Sequence, residues 1–327
     1  MYHMKINNSL ISSLAFLLLM TSINVVASRY LSEEISIREQ FEEWMVQYGR
    51  AKIFKIFQQN VERIEALPKL NLGYEVGINN FSDMTQEEFE AAYTDGGVVS
   101  DLAPTPFTFV NMSYPDSFDW RELGAFTEVK DQGLNCGDLR SLSEQQIIDC
   151  DKYDNGCKGG LAARVYKYAS SSTGGKHVGI ANEEEYPYLD KTGTCKGNSI
   201  GADPVTIVDG YEFVPSNSEI DLARAVARGP VSVRVQSGDG LQAYTGGIFK
   251  GPCGKKLNHA MTIVGYTPSY WIVKNSWGVW WGENGYIRMR RGADGPAGLC
   301  GIAREPSYPF SYIERNDSSK ENQQNYH

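Results

Sequence analysis

The sequence predicts an α+β protein, and three observations carry that prediction. An amphipathic helical pattern fills the early chain, a Gly-rich and then helical stretch follows Cys150, and strand-like runs dominate after Val205. A helical half followed by an antiparallel sheet is how an α+β domain distributes its elements. The 327 residues allow more than one domain and a sizeable core. With 41% apolar and 22% charged residues, the composition is that of a globular chain and argues against a membrane bundle or a disordered polypeptide. The net charge of -9 argues against a general nucleic-acid binder, because no excess of Lys and Arg is present to neutralise phosphate.

Residues 1–28 run from a polar stretch with Lys5 through the apolar segment Leu10 to Met20 and end in Val25-Val26-Ala27-Ser28, the layout of a secretory signal peptide. Ser12 and Ser13 interrupt the apolar segment, which is shorter than the roughly 20 residues that span a bilayer, so cleavage is expected and no membrane association afterwards. The mature chain then meets an oxidising compartment. Its cysteines, at positions 136, 150, 157, 195, 253 and 300, are an even set that predicts three disulfides without fixing their connectivity.

From Ile35 to Ala66, apolar residues recur at helical spacing: Phe41, Trp44, Met45 and Tyr48, then Ile53, Ile56, Phe57, Val61 and Ile64. Gly49 interrupts the pattern and Pro68 ends it. Tyr74, Val76 and Ile78 alternate as in a strand. Asp83 or Thr85 can cap the next helix, and Glu88 completes a capping box with Thr85. Residues 95–116 read as a linker accessible to processing, and Asn80, Asn111 and Asn316 head glycosylation sequons. Further on, Leu161, Val165 and Tyr168 mark a helix face, while Val231 to Val235, Ala260 to Tyr266, Tyr270 to Lys274 and Gly285 to Arg290 read as strands. The polar tail after Ile313 is expected to be disordered.

Of the four histidines, His3, His177 and His327 fall in the leader, a Gly-rich loop and the tail, whereas His259 stands at the mouth of an apolar strand. A lone histidine there reads as structural. Asn275 and Trp277 downstream change that reading. A base that activates a thiol needs a third group to fix its ring, and an amide oxygen serves. Asn275 can supply that oxygen while Trp277 shields the contact from water.

The segments Leu257-Asn258-His259-Ala260-Met261 and Tyr270 to Gly278, continuing through Trp280-Trp281-Gly282-Glu283-Asn284-Gly285-Tyr286, closely resemble the His and Asn motifs of the papain family of cysteine proteases. Asp119-Trp120-Arg121 and Gly124 to Gly133 resemble the start of its mature domain. Gly77, Asn79, Phe81 and Asp83 match the G-x-N-x-F-x-D signature of its propeptides. The upstream helix resembles the family's other propeptide motif only through Phe57, Asn60 and Ile64, because Gly49, Ile53 and Pro68 stand at its remaining positions and the segment after Gly49 is short.

The resemblance implies a papain-like fold of a helical half and an antiparallel, barrel-like half, preceded by an inhibitory propeptide. It divides the chain into a signal peptide (1–28), a propeptide (29–112), a peptidase domain (113–313) and a tail (314–327). It implies His259 as base, Asn275 as its orienter and Gln132 as oxyanion donor. It places Gly159, Gly160, Leu161, Met261, Trp277 and Glu305 along the substrate cleft, with Glu305 letting a subsite accept basic as well as apolar side chains. It pairs Cys136 with Cys157, Cys150 with Cys195 and Cys253 with Cys300. It implies a monomer without cofactor or metal, acting on peptides or proteins in an extracellular, vacuolar or lysosomal setting and held by its own propeptide.

The departure from the family lies at the nucleophile. The family motif C-G-x-C-W places its catalytic cysteine at the start of a long buried helix, where the helix terminus and a nearby imidazolium favour thiolate. Here Cys136-Gly137 is followed by Asp138-Leu139, and Ser141-Leu142-Ser143-Glu144 already caps the next helix. The separation of 123 residues from Cys136 to His259 falls short of the family's roughly 130 to 150, and a helix of about 20 residues restores it. Three readings stay open: a catalytically dead protease that binds peptides or inhibits active relatives, a gap in the gene model of an ordinary protease, and attack by Cys136 itself, which lacks a helix start to lower its pKa.

Overall fold

The computed structural model describes residues 33–49, 54–67, 73–95, 97–124, 141–173, 176–197, 208–253, 256–292 and 295–311. The signal-peptide segment, the tail, and Gln132, Cys136 and Gly137 fall outside them.

Two helices come first, α1 (33–48) and α2 (Phe54–Ala66). Ile37, Phe41 and Trp44 of α1 pack on Phe57 and Val61 of α2 and bury the stripe read from the sequence. Asn60 ties α2 to the following loop by donating to the carbonyls of Ser82 (3.0 Å) and Met84 (2.8 Å). Strand β1 (Tyr74–Val76) leads to α3 (Gln86–Tyr93), whose N-cap Thr85 forms the expected capping box with Glu88. The side chain of Thr85 accepts from the Glu88 amide while the Glu88 carboxylate accepts from the Thr85 amide, so two otherwise orphaned donors are satisfied.

The segment expected to be a free linker is anchored to the sheet side. Phe213 N–H donates to Thr105 Oγ1 (2.6 Å), Thr108 N–H to the Glu212 carboxylate (2.9 Å), and Arg224 Nε to the Met112 carbonyl (3.0 Å). It leads to β2 (Phe118–Asp119).

The helical half holds α4 (Glu144–Cys150), α5 (Ala162–Ser170) and the two short strands β3 (Ser172–Thr173) and β4 (Lys176–His177). Leu161 is buried just ahead of α5, but the helix's own buried face is Ala163, Tyr166 and Ala169, not Val165 and Tyr168. The reason is that α5 is packed on two sides. Ala169 joins Leu142, Ile180 and Val208 in a small cluster, while the Tyr166 hydroxyl lies 2.6 Å from Ser232 Oγ in the sheet.

The remaining elements are β5 (Gly210–Phe213), α6 (Glu219–Val226), β6 (Val231–Val235), α7 (Asp239–Gln242), β7 (Tyr244–Phe249), β8 (His259–Tyr266), β9 (Tyr270–Lys274), β10 (Tyr286–Arg290) and β11 (Ser307–Phe310). They form a sheet of order β1-β7-β10-β9-β8-β6-β11-β5, with β2 pairing β8. Only the β10–β7 pair is parallel. The main core lies against this sheet, from Val231, Val233 and Val235 through Ile263, Trp271 and Val273 to Ile287 and Met289.

Cys150 is bonded to Cys195 and Cys253 to Cys300. Cys157 is exposed, and Cys136, the partner that resemblance gives it, lies outside the described residues. Among the described residues, no helix is long and apolar enough to cross a membrane, and no cluster of three His, Cys, Asp or Glu could hold a metal ion.

Candidate active site

His259 opens β8 and Asn275 follows the last residue of β9, so the antiparallel pairing of these two strands brings side chains 16 positions apart to one end of the sheet. His259 Nε2 lies 2.8 Å from Asn275 Oδ1, and both residues are buried. The same oxygen accepts from the Ser276 amide at 2.8 Å. A main-chain N–H can only donate, which fixes the oxygen of the Asn275 amide on this side, and an amide oxygen can only accept, so Nε2 carries the proton. The neutral ring therefore keeps Nδ1 as its basic nitrogen.

Trp277 stacks on the imidazole, with ring centroids 4.5 Å apart and planes 28° apart. Burial lowers the His259 pKa. The Asn275 hydrogen bond, the charge of Asp95 and a hydrogen bond with the Tyr93 backbone oppose that shift without overcoming it.

A segment beginning at Asp95 runs over this end of the sheet. Its amide donates to the Asn258 carbonyl (2.7 Å), immediately before His259. The Asp95 backbone also presses against Gly159, where a Cβ would stand 2.8 Å from the Asp95 carbonyl oxygen and the φ of +100° already disfavours a side chain. At Gly160 a Cβ would meet the Asp154 carboxylate at 2.4 Å. Of the two glycines expected on resemblance to line the cleft, Gly159 thus lets main chain approach closely and Gly160 makes room for the Asp154 side chain.

Beside these glycines is a pocket lined by Leu161, Ala163, Arg234, Ala260, Glu305 and, from the overlying segment, Ser100. Leu161 and Glu305 are both among its lining residues. Met261 is not: it is buried in the main core, and its neighbour Ala260 lines the pocket instead. Successive residues of β8 point to opposite faces, so a one-residue difference exchanges core for cleft. The Glu305 carboxylate, expected to receive basic side chains, accepts from Arg234 Nη1 (2.9 Å). Trp277 is covered by Phe81 and Phe89, with ring centroids 5.6 and 5.0 Å away. Gln132 and Cys136 are outside the described residues, and nothing is stated of their placement.

Sequence reasoning missed Arg234 and Asp95. Arg234 is only 6% exposed, in a strand buried along its whole length. A charged residue inside the run Val231-Ser232-Val233-Arg234-Val235 was the available signal, since an arginine is almost never buried unpaired.

Comparison with known proteins agrees with this geometry. The model of the papain family cysteine proteases matches residues 135–310, and that of the cathepsin propeptide inhibitor domain matches residues 41–89. The chain belongs to the papain family of cysteine proteases. Among its family relatives, the senescence-specific cysteine protease SAG39 of Oryza sativa subsp. indica is 38% identical over 325 residues, covering 87% of this chain and 94% of the relative. Fruit bromelain of Ananas comosus is 40% identical over 308 residues, covering 83% and 86%. The crystal structure of the ragweed pollen allergen Amb a 11 cysteine protease in its proform superposes with a TM-score of 0.76 at 36% identity, covering 85% of this chain and 95% of that one.

Within this papain-family frame, the propeptide signature has a physical meaning. Strand β1 adds to β7 in antiparallel register, Tyr74 opposite Gly247 and Val76 opposite Tyr244. The Gly77 amide donates to the Ala243 carbonyl at 3.0 Å. Asn79 Nδ2 donates to the Gln242 carbonyl (2.7 Å), and its Oδ1 accepts from the Phe81 amide (3.0 Å). Phe81 then drops onto Trp277, and Asp83 is fully buried.

Proposed function

We propose that this papain-family protein binds peptides in the cleft beside His259 but does not cleave them, because the sequence offers no cysteine between Gly137 and the start of α4. The single observation that carries the reading is the start of α4. Ser143 caps it, its Oγ accepting from the Gln146 amide at 3.0 Å, so only residues 138–143 separate Gly137 from the helix. That leaves no room for the helix of about 20 residues that follows the family's nucleophile. His259 and Asn275 keep the geometry of a base and its orienter, yet losing one member of a catalytic unit leaves only the weak rate supplied by binding and oxyanion contacts.

The finer assignments belong to the same reading. Residues 29–112 form the propeptide, the peptidase domain starts at 113, Gln132 donates to an oxyanion, Cys136 pairs with Cys157, and the monomeric protein works in the secretory pathway or vacuole. The close approach of the Asp95 backbone to Gly159 and the bond from its amide to the Asn258 carbonyl support a zymogen-like resting state.

The test is hydrolysis of fluorogenic peptide amides by purified chain whose 95–116 segment has been cut by an added protease, later removed. No turnover sensitive to thiol alkylation is expected. Rapid turnover abolished by iodoacetamide would overturn the proposal and make Cys136 or Cys157 the nucleophile.

A further inference from the structure

The most heavily paired charge in the cleft is Arg234. Its Nε and Nη2 face the Asp95 carboxylate in a two-pronged pair, at 3.1 Å and 2.9 to 3.0 Å, while Nη1 reaches Glu305 at 2.9 Å and Nη2 also reaches the Leu257 carbonyl at 3.2 Å. The side chain of Arg234 is 7% exposed and that of Asp95 is 10% exposed. A second pair, Arg164 with Asp101 at 2.6 Å, holds the far end of the same segment, but Asp101 is 75% exposed and that contact is screened by water.

We infer that this cleft selects a carboxylate side chain, and that Asp95 occupies in the resting chain the position an aspartate or glutamate of a bound peptide takes. The inference rests on the reading of the cleft as a peptide site. A guanidinium presents two parallel N–H donors on its Nε–Nη2 edge that match a carboxylate, and a buried arginine stripped of its partner is strongly disfavoured. Glu305 neutralises the charge of Arg234 but bonds only through Nη1, so it leaves the Nε–Nη2 edge to be filled. Removal of the Asp95 segment exposes that edge beside the pocket formed by Leu161, Ala163 and Ala260. A peptide whose main chain follows Asn258, as the Asp95 amide does, brings its side chain to the same place.

The experiment reads hydrogen exchange of residues 95–101 in the full chain, with the amides of β8 and β9 as internal reference. Asp95→Glu is expected to keep protection, whereas Asp95→Asn and Asp95→Leu speed exchange at least about tenfold, as breaking a buried pair should. In an Arg234→Met background the order inverts, and Asp95→Leu protects better than Asp95. If Arg234→Met loses the β8 and β9 protection, the Asp95 series carries the test alone.

Blocked hexapeptides with one central Asp, Asn or Leu in an alanine frame are then titrated against the Asp95→Leu chain. At least tenfold tighter binding of the Asp peptide supports the inference. Equal binding of all three peptides, or unchanged exchange in Asp95→Asn and Asp95→Leu, overturns it and leaves the peptide cleft standing. Binding of none of them to a chain whose 95–101 segment is released overturns the inference and the cleft together.

Discussion

His259 Nε2 donates to Asn275 Oδ1 at 2.8 Å, and that oxygen also accepts the Ser276 amide, so one buried amide group holds the ring and the turn after β9. Asn275→Ala leaves both donors buried without an acceptor. Each such loss costs about 1 to 3 kcal/mol, so urea denaturation should show a destabilisation of roughly 2 kcal/mol or more. Asn275→Asp keeps an acceptor and adds a charge that favours imidazolium. The His259 pKa followed by NMR should rise in that variant, and an unchanged titration would show that the two side chains are not in contact.

Two buried groups give stability opposite pH dependences. The His259 pKa is lowered by burial, so its contribution is present above the ordinary value of 6.5 and is lost as pH falls through the depressed one. Asp151 is pushed up to about 6 chiefly by burial, with the Tyr153 amide opposing and the neighbouring Asp154 adding to the rise. Its contribution is complete below the ordinary carboxylate value and lost as pH rises through about 6. Asp151→Asn should therefore raise the melting temperature at pH 8 and leave it nearly unchanged at pH 4. Equal shifts at both pH values would refute the assignment.

The propeptide strand depends on Gly247. Its φ of +82° is left-handed, and a Cβ there would stand 3.3 Å from the Tyr74 Cα. Gly247→Ala should cost about 1 to 2 kcal/mol from backbone strain and should speed hydrogen exchange at residues 74–77 relative to the core strands. Exchange that stays unchanged would mean that β1 is not held by this edge.

Asn79→Ala removes the acceptor of the Phe81 amide and the donor to the Gln242 carbonyl. A loss of about 1 to 3 kcal/mol in denaturant unfolding is expected, with faster exchange around Phe81.

Insertion between Gly137 and Asp138 of a helix of about 20 residues that opens on Cys-Trp, as the family motif requires, should create alkylation-sensitive peptidase activity. Sequencing the transcript across the same codons decides whether such a helix is encoded. Retained codons would replace the non-cleaving reading with that of an ordinary protease.

The α1–α2 stripe, the Thr85 capping box and strands β6, β8, β9 and β10 were legible because each is written at short range, in periods of 3.6 or 2 or in a three-residue cap. Asn275 was legible as a partner for His259 because its motif is contiguous. The buried face of α5 was not, since Ala163, Tyr166 and Ala169 are small or amphipathic and are buried by surfaces the helix does not encode. The tie of the 95–116 segment to Glu212, Phe213 and Arg224 was equally hidden, because its partners lie about a hundred residues downstream.

By itself the sequence determined the family, pointed to His259 and Asn275 as a pair, and set the short spacing between Gly137 and α4, all of which depend on residue identity and spacing. Only the tertiary structure decided what faces the cleft. The pleat turned Met261 inward and Ala260 outward, and the fold brought Asp95 within 3 Å of Arg234 across 139 residues of chain. That pairing follows from the cost of burying an arginine without a partner, and no local pattern in the sequence records which carboxylate would meet it.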